Sequence, residues 1–331
     1  MRQSVLFAFR LFLACAPEPL LAQDRPIVAP GAKLERLFGE GFFTEGPAPA
    51  PDGSVYFSDI TVGKAAGNQA GYLWRWDPQT RTSTVFRSPS GMSNGMLFDA
   101  QGRLVVAEGA WFGGRRITRT DMKTGKSVIL AALFDGRPFN SPNDVALDAR
   151  GRIYFTDPRY VGWEPIEQPV QGVYRIDPDG RVTLIVADAG KPNGVAVSPD
   201  QTTLYVAAHD NGSFGDLPPE TQAAPGRKAL LAYDLAPDGS AKLRRVVVDF
   251  SPAGPDGITV DRDGNIYCAV QGERQGIYVY SPAGKQLAYI PTPESPTNLK
   301  FGRAGDTQTL FITAGKSLYR IRVERTGVTG E

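Results

Sequence analysis

One sequence pattern recurs six times along the chain, and it constrains the fold more than any other feature. The clearest copy is PNDVALDARGRIYFTDPRY at 142–160, where a polar residue opens a short apolar strand and an Asp-x-x-Gly turn leads into a second strand. This order is typical of a β-hairpin. The other five copies begin at residues 45, 93, 192, 255 and 297. The chain is therefore built from repeated hairpins.

The spacing of the copies predicts a β-propeller. The steps between successive copies are 49, 49, 50, 63 and 42 residues, counted at the position that opens each hairpin: Glu45, Asn94, Asn143, Asn193, Asp256 and Asn298. A blade of four antiparallel strands takes about 40 to 50 residues, and such units must stack on neighbours to bury their faces. Six copies predict an all-β protein that closes into a six-bladed β-propeller. A polar insertion at 211–228, between the second and third strands of blade four, explains the long step.

The two ends of the repeat region predict how the ring closes. After the last hairpin only one further strand follows, at 317–322, so the sixth blade lacks its fourth strand. A spare strand, KLERLF at 33–38, precedes the first hairpin. We expect this N-terminal strand to complete the last blade, because closure removes exposed strand edges.

The chain divides into four segments. Residues 1–22 have the basic start and apolar run of an export signal peptide, with lipid attachment at Cys15 as an alternative. Residues 23–32 are a linker, 33–323 the propeller and 324–331 a C-terminal tail. The signal predicts a periplasmic or secreted protein without a membrane span, since the apolar run is too short to cross a bilayer. The net charge of +1 argues against a nucleic-acid partner.

The residues that open the hairpins are candidate metal ligands. In a propeller the first strand of each blade lines the central channel, so Glu45, Asn143, Asn193 and Asp256 are expected to meet at one mouth of it. Two carboxylates and two amide oxygens suit Ca²⁺, and also Mg²⁺ or Mn²⁺. A second interpretation needs no metal, because Asn-Gly and Asp-Gly pairs are also favoured in turns.

The order of these motifs resembles the senescence marker protein/gluconolactonase/luciferin-regenerating enzyme family. The resemblance spans about residues 34–322, and four motifs carry it: EGP at 45–47, SPND at 141–144, KPNG at 191–194 and GPDG at 254–257. It implies a six-bladed propeller that hydrolyses lactones, with one divalent ion in the channel and a second calcium in some members.

The resemblance also implies roles for individual residues. Glu45, Asn193 and Asp256 would be metal ligands, Asn143 would contact the metal or the substrate, and Asp256 would be the general base. No metal role is carried onto the asparagines that occupy the same repeat position in blades two and six.

Four further residues are candidate substrate contacts or supports. His209 ends the second strand of blade four and is the only histidine, which excludes a His–His dyad. Asp157 and Arg159 either line the pocket or hold a turn as an ion pair. Asp144 either contacts the substrate or holds Asn143 in position without touching the metal or the substrate itself. No G-x-S-x-G motif for a serine nucleophile occurs.

Pattern and resemblance together predict a divalent-metal-dependent lactonase or related carboxylic ester hydrolase, acting on a small-molecule lactone or ester. The expected cofactor is one Ca²⁺ ion, with Mg²⁺, Mn²⁺ or Zn²⁺ as alternatives. Two other hypotheses stay open: a non-catalytic propeller that serves as a binding scaffold, and a metal-free propeller enzyme of the strictosidine-synthase-like kind. Glu and Asp at the channel mouth favour the enzyme, because a scaffold does not need them there.

Overall fold

The computed structural model describes residues 26–61, 71–210 and 226–328. Within these ranges the regular structure is entirely β. The chain begins with β1 (Glu35–Phe38), and six four-stranded antiparallel sheets contain most of the remaining strands.

The first three blades follow in chain order. Blade one contains β2 (Thr44–Pro49), β3 (Val55–Asp59), β4 (Tyr72–Asp77) and β5 (Thr82–Arg87). Blade two contains β6 (Ser93–Phe98), β7 (Leu104–Glu108), β8 (Arg116–Thr120) and β9 (Ser127–Ala131), and a small hairpin of β10 (Leu133–Phe134) and β11 (Arg137–Pro138) follows it. Blade three contains β12 (Val145–Leu147), β13 (Ile153–Thr156), β14 (Val173–Ile176) and β15 (Val182–Val186).

The remaining blades repeat the arrangement. Blade four contains β16 (Pro192–Val197), β17 (Thr203–His209), β18 (Lys228–Leu235) and β19 (Ala241–Asp249). Blade five contains β20 (Pro255–Val260), β21 (Ile266–Val270), β22 (Gly276–Tyr280) and β23 (Gln286–Pro291). The last strands are β24 (Pro296–Phe301), β25 (Thr309–Ala314) and β26 (Ser317–Arg322).

These sheets form a closed ring, which confirms the predicted six-bladed propeller. Each inner strand contacts the inner strands of both neighbouring blades, including β2 against β24 where the ring meets itself. The apolar core lies between adjacent blades. Between blades three and four, for example, Tyr154 and Val173 pack with Val206 and Leu231.

The N-terminal strand completes the last blade, as the sequence predicts. Sheet six has the order β1-β26-β25-β24, and β1 pairs antiparallel with β26 through Glu35↔Arg320 and Arg36↔Tyr319. Phe38 is buried against Phe57 of blade one, with ring centroids 5.2 Å apart, so the closing strand also contacts the neighbouring blade.

Parts of the predicted linker and tail also contact the ring. Ile27 is buried, and Val28 forms a β-bridge with Val323. Gly327 bridges Asp261 of blade five. The predicted signal peptide at 1–22 and most of the predicted insertion, up to residue 225, lie outside the described residues. No helix in the described ranges has the length and apolar character needed to span a membrane.

The Asn-Gly and Asp-Gly pairs of the repeat lie inside strands rather than in turns. Gly95, Gly194 and Gly257 belong to β6, β16 and β20, and none of the three has a left-handed φ. A Cβ on Gly194 would lie 2.6 Å from the carbonyl oxygen of Asp256 on the next blade. These glycines let the inner strands approach one another closely, so the turn interpretation of these three pairs is wrong.

Candidate active site

A cavity of about 150 Å³ opens at the mouth of the central channel where the inner strands begin. Strand starts and the loops that follow the second strand of several blades form its wall. The lining residues are Phe43, Glu45, Ile60, Met92, Asn94, Gly109, Ala110, Ser141, Asn143, Tyr160, Val161, Asn193, His209, Asp256 and Gln271.

The structure brings the four predicted ligands together in this cavity. Glu45, Asn143, Asn193 and Asp256 come from blades one, three, four and five, and all are at most 6% exposed. Within the described ranges no group of three or more His, Cys, Asp or Glu side chains is placed to hold a metal ion. Any ion in the cavity would therefore depend on amide oxygens as well as the two carboxylates.

Several buried oxygens in the cavity lack a hydrogen-bond donor. The Oδ1 atoms of Asn94, Asn143, Asn193 and Asp256 are all buried without a partner. Buried acceptors are normally paired, because leaving one unpaired costs about 1–3 kcal/mol. A hard cation would satisfy several such oxygens at once, so the donor set fits a divalent ion of the Ca²⁺ type.

Burial and nearby negative charge raise the pKa of both carboxylates. Burial, followed by the charge of Asp144, raises the pKa of Glu45 to about 8. Burial, the charge of Glu45 and the charge of Asp144 raise the pKa of Asp256 well above its ordinary value. A cation bound between them would favour the charged forms and reverse this effect.

Neighbouring groups hold both carboxylates in place. Gln271 Nε2 donates to Asp256 Oδ2 at 2.7 Å, and the Gly46 N–H donates to Glu45 Oε2 at 3.1 Å. Asn298 of blade six acts on Glu45 across the junction between blades one and six, where it opposes the rise in the pKa of Glu45. The carboxylates are therefore positioned before any ligand arrives.

Asp144 lies next to the candidate ligands without lining the cavity. It is fully buried, and its Oδ2 accepts the Val195 N–H at 3.2 Å. Lys300 Nζ lies 3.7 Å from the same oxygen. Asp144 thus connects the third, fourth and sixth blades, and Lys300 offsets part of the negative charge.

Asp157 and Arg159 also do not line the cavity. Asp157 accepts the backbone N–H groups of Asn140 and Ser141, each at 2.7 Å, and burial raises its pKa to about 7. Arg159 Nε donates to the Asn140 carbonyl at 3.1 Å and its Nη1 donates to the Glu164 carbonyl at 2.7 Å. In this geometry both side chains hold the loop that leads to Asn143.

His209 lines the cavity, but its ring is engaged with the backbone that leads to Asp256. Nδ1 lies 3.1 Å from the Pro255 carbonyl oxygen, and the ring also hydrogen-bonds the backbone of Gly254. Burial lowers the pKa of His209 to about 4, so the imidazole is neutral near pH 7. Tyr160 donates its hydroxyl to the His209 carbonyl at 3.0 Å.

The sequence reasoning missed the apolar wall and Gln271. Phe43 and Met92 stand just before the repeated pattern, where no motif marked them. Ile60, Gly109 and Gln271 each follow the second strand of a blade by one residue. An alignment of the repeats at that position, as well as at the strand starts, would have found these three residues.

Comparisons with known proteins identify the family of the chain. A family model described as "SMP-30/Gluconolactonase/LRE-like region" matches residues 43–316. A gluconolactonase from Zymomonas mobilis is 33% identical over 318 residues, covering 89% of this chain and 82% of the relative.

Solved structures show the same likeness. A structure of a gluconolactonase from Xanthomonas campestris has a TM-score of 0.74 and 30% identity, covering 90% of this chain and 91% of that one. Regucalcin from Agrobacterium tumefaciens, described as a calcium-binding protein, has a TM-score of 0.68 over 90% of this chain and 96% of its own. Its 20% identity shows a common fold alone. Family match, fold and repeat motifs agree, and the chain belongs to the SMP-30/gluconolactonase/LRE-like family.

Proposed function

We propose that this protein is a divalent-metal-dependent lactonase, a hydrolase that opens a cyclic ester to a hydroxy acid. The observation that carries the proposal is the group of buried, unpartnered oxygens that meets two carboxylates in one cavity. Similarity to gluconolactonases from two bacteria supports lactones as the substrate class.

Glu45, Asn143, Asn193 and Asp256 would hold the ion. Their all-oxygen donor set favours Ca²⁺ over softer metals, with Mg²⁺, Mn²⁺ and Zn²⁺ as the alternatives to test. When bound, the ion supplies polarisation of the lactone carbonyl and stabilisation of the negative charge that develops on it.

Asp256 is the proposed general base. Gln271 fixes Oδ2 of the carboxylate, while Oδ1 has no hydrogen-bond partner. The carboxylate takes a proton from the attacking water as the water oxygen bonds to the carbonyl carbon. When the ring C–O bond breaks, the leaving alkoxide takes that proton, so the products are one carboxyl group and one hydroxyl group.

One experiment tests the proposal: ion content and lactone hydrolysis of the purified protein, with and without a chelator. We expect about one divalent ion per chain, loss of hydrolysis on chelation and recovery when the ion is returned. The Asp256→Asn variant should lose about 10³-fold in kcat, because the base is removed. Its melting temperature should be unchanged, because the substitution is near-isosteric.

The matched control is Asp52→Asn, which changes an aspartate in an exposed turn of blade one. It should keep normal turnover. Finding no ion and no effect of the chelator would contradict the metal role. In that case hydrolysis would favour a metal-free enzyme, and its absence would favour a binding scaffold.

A further inference from the structure

The walls of the cavity around the candidate ligands are apolar. The aliphatic and aromatic side chains that form them are Phe43, Ile60, Met92, Ala110 and Val161. Among the described residues, Glu45 and Asp256 are the only charged side chains that line the cavity.

Three asparagines of the lining have an Oδ1 atom without a donor, and two of them, Asn143 and Asn193, are candidate ligands. The remaining uncharged polar side chains of the lining have partners within the protein. Ser141 Oγ accepts the Ala110 N–H at 2.9 Å, and Tyr160 donates to the His209 carbonyl. Gln271 donates to Asp256, and Nδ1 of His209 lies 3.1 Å from the Pro255 carbonyl oxygen.

This lining discriminates between kinds of lactone. A hydroxyl group that leaves water for an apolar wall without a new hydrogen bond loses binding free energy. A hydrocarbon group gains by the same transfer, in proportion to the apolar area that it buries. The cavity therefore disfavours a ring with many hydroxyl groups and favours one with an alkyl or aryl group.

Three exposed aromatic side chains, here called the aromatic rim, lie within two residues of the cavity lining along the chain. Phe42, Phe112 and Trp163 are 45%, 70% and 54% exposed. Phe43, Ala110 and Val161 line the cavity. Phe42 directly precedes Phe43 in the chain, Phe112 follows Ala110 by two residues, and Trp163 follows Val161 by two residues. Large exposed apolar groups beside a cavity are typical of a binding surface.

The loop that carries Phe112 is held in an unfavourable backbone conformation. Trp111 and Phe112 have φ of +67° and +59°, the left-handed region that bulky side chains rarely adopt. Glu164 stabilises it by accepting both backbone N–H groups, at 3.1 and 2.7 Å. The Trp111 ring also lies 6.1 Å from that of Trp163. The two aromatic loops are thus fixed to each other at the rim.

We propose that the substrate is a lactone whose ring carries an apolar alkyl or aryl substituent, rather than a polyhydroxylated sugar lactone. The inference rests on the proposed lactonase function. The ester group of the lactone lies beside the candidate metal ligands. Its substituent contacts Phe43, Ile60 and Val161, and a longer substituent reaches the aromatic rim.

The test compares three lactones with the same six-membered ring and different substituents: δ-decalactone, unsubstituted δ-valerolactone and δ-gluconolactone. We expect kcat/KM for δ-decalactone to exceed that for each of the others by about tenfold or more, since several buried methylenes contribute. A higher kcat/KM for δ-gluconolactone would overturn this inference and leave the lactonase function intact. Hydrolysis of none of the three would overturn both.

Variants of two residues in the cavity wall test which side chains determine the substrate selectivity. Phe43→Ala and Ile60→Thr should each lower the ratio of kcat/KM for δ-decalactone to that for δ-valerolactone, by about tenfold and about threefold. Phe86→Ala, which changes a phenylalanine on the outer strand of blade one, should leave the ratio unchanged. An unchanged ratio in both wall variants would overturn the assignment of these walls to the substituent.

Discussion

His209 illustrates how its surroundings fix the chemistry of one residue. The sequence places it at the end of a strand near the channel mouth, which is where the structure has it. Its hydrogen-bond partner Pro255 is 46 residues away, on the next blade. Sequence reasoning could not choose between a substrate contact and a structural residue, because that choice depends on a contact between blades.

The low pKa of His209 gives a prediction. Burial lowers the pKa from 6.5 to about 4, and the nearby charge of Lys191 acts in the same direction. Between these pH values the unfolded chain binds more protons than the native protein, so this group lowers stability as the pH falls from 6.5 to about 4.

Because His209 is the only histidine, an untagged protein gives a single imidazole signal in an NMR titration. We expect a midpoint near pH 4 in the native protein and near 6.5 in denaturant. A native midpoint close to 6.5 would show that the ring is exposed to water.

At the scale of the elements, the inner strands were predicted correctly, but the reason for their glycines was not. Alternating apolar residues and turn signals are local properties, so the hairpins could be found from the sequence. The close approach of neighbouring inner strands is a property of the assembled ring. Asn-Gly and Asp-Gly pairs therefore looked like turns, although Gly194 and Gly257 lie within strands, at a shift of the pairing register.

A single methyl group at Gly194 should destabilise the protein. The added Cβ would lie 2.6 Å from both the Asp256 carbonyl oxygen and the Ile258 nitrogen, which are backbone atoms that cannot rotate away. We expect Gly194→Ala to lower the free energy of unfolding by about 3 kcal/mol in urea titrations. Gly39→Ala is the control, because its nearest neighbours are flexible Arg36 side-chain atoms at 3.4 Å. Equal stability of the two variants would contradict the close packing described here.

For the whole molecule, ring closure was predictable because it follows from counting strands. Five blades have four strands each in sequence order, and the sixth has three, so the spare strand at the start has only one place to pair. The site was predictable only in part. Strand starts converge in any propeller, whereas the aromatic rim depends on loops that follow no repeat.

Loss of β1 should destabilise the ring as a whole. A chain that begins at residue 39 leaves the outer edge of β26 unpaired and removes Phe38 from its contact with Phe57. Compared with a chain that begins at residue 34, we expect a melting temperature lower by about 10 °C and aggregation through the open edge. Thermal unfolding and light scattering measure both effects. Matching curves for the two chains would show that β1 is dispensable.

The junction between the first and last blades passes directly beside Glu45. Thr297 donates its hydroxyl across this junction to the Thr44 carbonyl at 2.7 Å, and Asn298 of blade six acts on the pKa of Glu45. During synthesis Glu45 leaves the ribosome more than 250 residues before Asn298 does. An incomplete or clipped product can thus contain most blades and still lack the finished cavity. Turnover by the proposed lactonase would therefore report complete assembly.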